Sequence, residues 1–412
     1  MRRVLLATLL TTALGLGVVA SVPASAATVA PNPTPASQFG MHIPDIAQGV
    51  SPTVPYGAVR LWDSGVAWGQ VQQKKNVYWW NGLDAAIANA NKQGAQIMYV
   101  LGSTPTWAAS NTKQGTYPNK GAASMPSMKD WKAWVTAVVQ RYSASIESYQ
   151  IWNEANLTTF WQGTPQQMAD LTAEAAKIIR KYDPTAKVVS ASSTVRLTSA
   201  YNKFFPAYLK ALKKKSWPID AVAVHLYPPS TGTPATRADY IVKVQKDMKS
   251  AKVPASKQLW DTEINYGIKG PGSGNPDKNI EGATAAAWVA QTYLDNIRLG
   301  VARAYWYYWD QQADLVGIQM FNGTVGSVGY QTVYGWMKDR FYSCTSGDVN
   351  VCQLGDNDFP QVIAWASKGS GTFVVPAAAT QTCTALNQCT PVIPGSTVTI
   401  GSMPQWFGLT PS

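Results

Sequence analysis

The chain has 412 residues, 46% hydrophobic and 14% charged, with a formal net charge of +11, four cysteines and two histidines. That hydrophobic share excludes a disordered chain, and the length allows one large domain of roughly 250 to 300 residues plus a small appendage. The lysines are spread out except for Lys213-Lys214-Lys215, late in a helix expected over Lys203–Lys215 where cations suit the C-terminal end; the charge does not argue for nucleic acid and supports at most a mild attraction to anionic cell-surface polymers.

The chain starts with Arg2-Arg3, an apolar stretch from Val4 to Ala20 and small residues reaching Ala24-Ser25-Ala26, the pattern of a secretory signal cut after Ala26. Export is therefore expected, leaving about 386 residues (412 − 26) and a charge of about +9 (11 − 2). No second long apolar run follows, so no membrane span is expected. Residues 27–37 are a proline-rich lead-in, expected to be mobile.

Eight short apolar or aromatic runs then read as strands: Gln38–Ile43, Ala58–Trp62, Gln96–Leu101, Ser148–Trp152, Lys187–Ala191, Ala221–Tyr227, Gln258–Glu263 and Ala302–Trp309. Helical patterns separate most of them. The clearest opens at Thr164-Pro165, a cap residue followed by proline at the first helical position, with Met168, Leu171, Ala175, Ile178, Ile179 and Tyr182 on one face. Strand-helix alternation means a parallel sheet, and eight units in about 300 residues predict an α/β fold, a (β/α)8 TIM barrel over residues 38–342; a doubly wound open sheet is the alternative. A last helix is expected over Tyr330–Phe341.

Beyond it, Gln361–Trp365, Gly371–Val375 and Ser396–Ile400 read as strands of a small β module over residues 343–412. All four cysteines fall there. In an exported chain their spacing suggests two disulfides, most simply Cys344-Cys352 and Cys383-Cys389, although three pairings are open; neither pair has the spacing of a zinc knuckle.

Barrel geometry places active sites at the C-terminal strand ends. There the sequence puts two glutamates, Glu154 in Trp152-Asn153-Glu154 and Glu263 in Trp260-Asp261-Thr262-Glu263. Two carboxylates so delivered are what glycosidic-bond hydrolysis needs: a protonated acid, Glu154, for the leaving oxygen, and an ionised partner, Glu263. Asn153 is placed to donate to a sugar 2-hydroxyl, and Arg60 to hold Glu263 charged. Among the 17 tryptophans, Trp309 and Trp107 are expected at the barrel mouth, where sugar faces stack on aromatic rings, with Trp79-Trp80 and Trp161 suited to more distant subsites. His42 and His225 are either substrate contacts or structural histidines.

Trp152-Asn153-Glu154, His225-Leu226-Tyr227, Glu263 and Trp309 together resemble the clan A glycoside hydrolases, most nearly family 39 and its relatives, over roughly residues 38–310. The resemblance implies a retaining enzyme with a covalent glycosyl intermediate on Glu263, the carboxyl groups about 5 to 5.5 Å apart. It also implies that Tyr227 hydrogen-bonds the nucleophile and His225 lines the same wall. Ala155-Asn156-Leu157, following the Asn-Glu pair, departs from the family pattern and leaves the sugar open.

Other chemistries fit less well. No Gly-x-Ser-x-Gly pentapeptide occurs, and the two histidines lie 183 positions apart (225 − 42) without a His-Glu-x-x-His pattern, so neither a serine nucleophile nor a metal is expected. Gly270-Pro271-Gly272-Ser273-Gly274 lacks the lysine of a phosphate loop, and no cofactor is expected. The expected partner is a poly- or oligosaccharide, and the other class of reading is a non-catalytic carbohydrate-binding or cell-wall protein on the same barrel.

Overall fold

The computed structural model describes residues 28–29, 33–270, 278–310, 315–340, 342–354 and 361–409; the expected leader lies outside them. A two-residue strand, β1 (Thr28–Val29), precedes eight parallel strands that close into a barrel: β2 (Phe39–Met41), β3 (Ala58–Leu61), β4 (Gln96–Val100), β5 (Ser148–Gln150), β6 (Lys187–Val189), β7 (Ala221–His225), β8 (Gln258–Ile264) and β9 (Val301–Trp306). The helices are α1 (Trp68–Val71), α2 (Asn81–Lys92), α3 (Met128–Tyr142), α4 (Pro165–Tyr182), α5 (Thr198–Lys214), α6 (Pro234–Ala251), α7 (Gly282–Arg298) and α8 (Val325–Met337). All eight expected runs carry a barrel strand, which excludes the open sheet.

Local chemistry explains the boundaries. The Thr164 hydroxyl accepts from Gln167 N while the Gln167 amide accepts from Thr164 N, a reciprocal cap that starts α4. Helix α5 begins at Thr198 rather than Lys203 and runs through Pro206, because Tyr201, Phe204, Phe205 and Tyr208 all bury on one side. Helix α8 begins five residues before the expected Tyr330 because Thr324 caps it, accepting from Ser327 N at 3.2 Å.

Ala58, Met98, Val189, Ala221, Ala223, Trp260 and Tyr305 fill the barrel interior. Gly40 is required there: a Cβ on it would stand 2.4 Å from the Tyr305 ring. Along β8, strict alternation would send Asp261 and Glu263 to one face. Pairing with β7 instead steps from Val224–Asp261 to His225–Glu263, skipping Thr262. This bulge lets Asp261 face outward to Arg237 on α6, at 2.7 Å and fully buried, while Glu263 turns into the barrel mouth.

The C-terminal module is antiparallel. Its strands are β10 (Tyr342–Thr345), β11 (Asn350–Leu354), β12 (Gln361–Trp365), β13 (Gly371–Val374), β14 (Gln381–Thr384), β15 (Cys389–Pro391), β16 (Thr397–Ile400) and β17 (Gln405–Gly408). Seven strands form one sheet in the order β1-β10-β11-β12-β17-β14-β15, and β13 pairs with β16. The lead-in is therefore held where it is described: β1 pairs with the edge of β10, and Thr34 N donates to Arg340 O at 3.0 Å. Backbone groups of β10 that would otherwise lack partners give the reason.

The disulfides are Cys344–Cys352 and Cys383–Cys389, each joining adjacent strands. With sequence separations of 8 and 6, chain entropy assigns each about 2 to 3 kcal/mol. Reducing both is expected to lower the unfolding midpoint in urea, monitored by circular dichroism with and without reductant.

Candidate active site

Arg60, last but one in β3 and 1% exposed, is the hub beneath the barrel mouth. Its Nε donates to Gln150 Oε1 at 2.7 Å, Nη1 to Glu263 Oε1 at 2.5 Å and Nη2 to Asn153 Oδ1 at 2.7 Å. A planar guanidinium meets three acceptors at once in this way. Because Asn153 Oδ1 faces Arg60, its NH2 group is directed to the cavity that Asn153 lines. His42, 1% exposed, lies below, with Nε2 3.1 Å from Thr262 O and 3.5 Å from Arg60 Nη1. It supports the hub and does not line the cavity.

Glu263 receives a second donor, Tyr227 Oη, at 2.9 Å on Oε2. Glu154 stands opposite, at the sharp turn after β5, with φ of 38° in the left-handed region. Such backbone costs on the order of 1 to 3 kcal/mol in a non-glycine residue and concentrates at functional sites. Glu154 N donates to Ser192 Oγ at 2.8 Å, which fixes the turn. His225 joins the two acids: its Nδ1 lies 3.1 Å from Glu154 Oε1 and 3.2 Å from Glu263 Oε2.

Burial dominates the ionisation of all three. It pushes Glu154 up to about 7 against the opposing charges of Arg196 and Arg60. It pushes His225 down to about 3, outweighing the Glu263 charge, so the imidazole is neutral. Glu263 is pushed up by burial as well, and His225 and Arg60 oppose the shift.

Glu154, His225 and Glu263 offer ligand atoms within 4.8 Å of one another, the one such group of three among the described residues that could hold a metal ion. The Arg60 cation already in contact with Glu263 is a poor neighbour for one.

The cavity above these groups measures about 500 Å3. Sequence reasoning missed much of its wall. Asp63, the residue after Trp62, accepts from Tyr117 Oη at 2.7 Å and from Tyr307 Oη at 2.8 Å. Phe160, Arg196, Lys269, Tyr308 and Asp310 also line it. The position of Asp63 two residues past a strand end was a usable signal; Tyr117 and Arg196 come from loops that spacing does not place.

Two expectations are corrected. Trp309 is 5% exposed and its ring packs in the main core, while its backbone N–H donates to His42 O at 2.8 Å; Tyr307 and Tyr308 take the mouth positions instead. Trp107 does not reach the cavity, since its Nε1 is tied to Gln72 O at 2.7 Å and its ring packs edge-on against Trp68. Trp62 does line the cavity, Trp161 lies in a neighbouring one, and Trp80 is stacked on Tyr78 and Trp134.

A closed (β/α)8 barrel with a buried and a part-buried glutamate joined at its mouth has the frame of a glycoside hydrolase. Comparison with solved structures agrees on the fold. The barrel and module are similar to a family 39 glycoside hydrolase from the gut symbiont Bacteroides cellulosilyticus WH2 (16% identity, TM-score 0.67, covering 92% of this chain and 81% of that one). They are also similar to a GH39 beta-xylosidase from Caulobacter crescentus (16%, TM-score 0.67, 93% and 98%) and to the GH39 enzyme from Xanthomonas axonopodis pv. citri (16%, TM-score 0.64, 92% and 96%). No curated protein sequence matches the chain. Glycosyl hydrolases family 39 matches residues 61–313, and the chain belongs to that family.

Proposed function

We propose that the protein is an exported, retaining glycoside hydrolase that cleaves a poly- or oligosaccharide by double displacement. The observation that carries this reading is the Glu154–His225–Glu263 cluster, in which one polar atom of each side chain lies within 4.8 Å of the others. Such closeness suits direct attack on the anomeric carbon better than the wider spacing, about 6.5 to 9.5 Å, with which an inverting pair holds its water.

Glu263 is the nucleophile. Donors meet both of its oxygens, Arg60 on one and Tyr227 on the other, so the ionised form is favoured there and the proton of the pair rests on Glu154. Glu154 gives that proton to the leaving oxygen and then takes one from the water that resolves the glycosyl-enzyme. Asn153 donates to the 2-hydroxyl, and Asp63 accepts from hydroxyls farther along the same sugar. A binding-only barrel would need neither the strained Glu154 backbone nor an acid raised to about 7.

The leader at residues 1–26, the lead-in at 27–37, a catalytic barrel over 38–342 and the module over 343–412 complete the proposed organisation. Two disulfides suit an oxidising, extracellular setting.

Incubation with a panel of aryl glycosides and polysaccharides, with the anomer of the released sugar followed by NMR, tests the reading. Retention supports it; inversion, or no turnover of any member, rejects it. Because the acid must be protonated, kcat is expected to hold below about pH 7 and to fall above it, as Glu154 ionises. Glu154→Gln should remove that limb and slow poor leaving groups by about 100- to 10,000-fold, sparing activated aryl leaving groups in the first step.

A further inference from the structure

Arg196 lines two cavities, the one above the acid pair and a second of about 860 Å3 beyond it. The second lies between the segment that follows Glu154, which supplies Asn156, Trp161 and Gln162, and the start of α5, which supplies Ser199 and Lys203. Resting on the hydrolase reading, we infer that this second cavity receives the leaving-group side of a saccharide chain and accepts acidic sugar units there.

Direction comes from the chemistry. The proton donor stands beside the leaving oxygen, so the released part of the substrate extends past Glu154, and residues 155–163 build the cavity at that side. Its volume falls within the range of about 300 to 1,000 Å3 typical of small-ligand sites, and Thr158, Thr198 and Ser199 offer hydroxyls around the buried Trp161 ring.

Charge supplies the ligand class. The first cavity sets Asp63, Glu154, Glu263 and Asp310 against Arg196 and Lys269, whereas the second has Arg196 and Lys203 and, among the described residues, no acidic lining residue. Arg196 is also under-used. Its Nη1 reaches Ile268 O only at 3.4 Å, and its buried Nε has no partner among the described residues. A guanidinium in that state matches a sugar carboxylate, which it binds through paired N–H donors.

Ser199→Trp and Lys203→Glu test the inference, since both residues are exposed on α5 and outside the first cavity. The substrates are an aryl glycoside of the sugar the panel identifies, its uronate-bearing oligosaccharides, and the same chains after carboxyl reduction. Both variants should match wild type on the aryl glycoside. Ser199→Trp should lose about tenfold in kcat/KM on every chain that extends past the cleaved bond, and Lys203→Glu about tenfold on the uronate-bearing chains alone. Wild-type values for both variants on all chains would overturn the cavity assignment, and equal losses for Lys203→Glu on charged and reduced chains would overturn the acidic ligand. Absence of any wild-type turnover would sink the hydrolase reading itself, and this inference with it.

Discussion

Replacing Glu263 by alanine is expected to lower kcat by about 10,000-fold or more while the barrel stays folded. Among the other carboxylates lining the cavity, Asp63 is held by two tyrosines, Glu154 is the proposed acid, and Asp310, unlike Glu263, is not paired with Arg60. Removing the buried carboxylate also breaks the Arg60 ion pair and leaves the guanidinium bonded only to Gln150 and Asn153, so the thermal midpoint should fall too, by the equivalent of about 3 to 5 kcal/mol, and kcat is compared below that midpoint. Steady-state kinetics on an activated aryl glycoside, alongside a melting curve, checks both halves. A variant that kept even a hundredth of the wild-type kcat would remove Glu263 from the chemistry.

Arg60→Ala should damage stability and activity together. The substitution strands Gln150 Oε1 and Asn153 Oδ1 and leaves Glu263 without its ion pair in a site where Arg60 itself is 1% exposed. Breaking a buried pair of this kind costs about 3 to 5 kcal/mol, measurable as a shift of the urea midpoint. Arg60 also opposes the upward push of burial on the Glu263 carboxyl. Without it Glu263 gains its proton at higher pH, so the acid limb of the kcat/KM profile should move up, with a loss of about 100- to 1,000-fold at neutral pH. Arg60→Lys should rescue little, because an ammonium is a point charge and cannot meet three acceptors in one plane.

The barrel was legible because its signal is repetitive. Eight apolar runs separated by helical patterns constrain one another, and a strand end needs to be placed only within a residue or two for Glu154 and Glu263 to fall at the mouth. Arg60 was legible for the same reason, as a charge inside an apolar run that demands a partner. The bulge at Thr262 was not: composition along Gln258–Ile264 is compatible with simple alternation, and only the pairing with β7 and β9 shows the register shift there. Trp309 misled because a tryptophan past a strand end carries no statement of which way its ring turns, and here the ring packs into the main core. Tyr117 and Arg196 arrive on loops, where sequence separation says nothing about proximity. In the module, β10, β11, β14, β15 and β17 escaped because short strands in a small antiparallel sheet show neither a long apolar run nor clear alternation.

The most direct measurement is covalent trapping. An activated 2-deoxy-2-fluoro glycoside of the substrate sugar slows the second step and lets the glycosyl-enzyme accumulate, and digestion followed by mass spectrometry locates the label. One fluoroglycosyl group on the peptide containing Glu263, absent after Glu263→Ala, is the predicted result. A label on any other side chain, or time-dependent turnover with no covalent adduct at all, would contradict the two-glutamate mechanism.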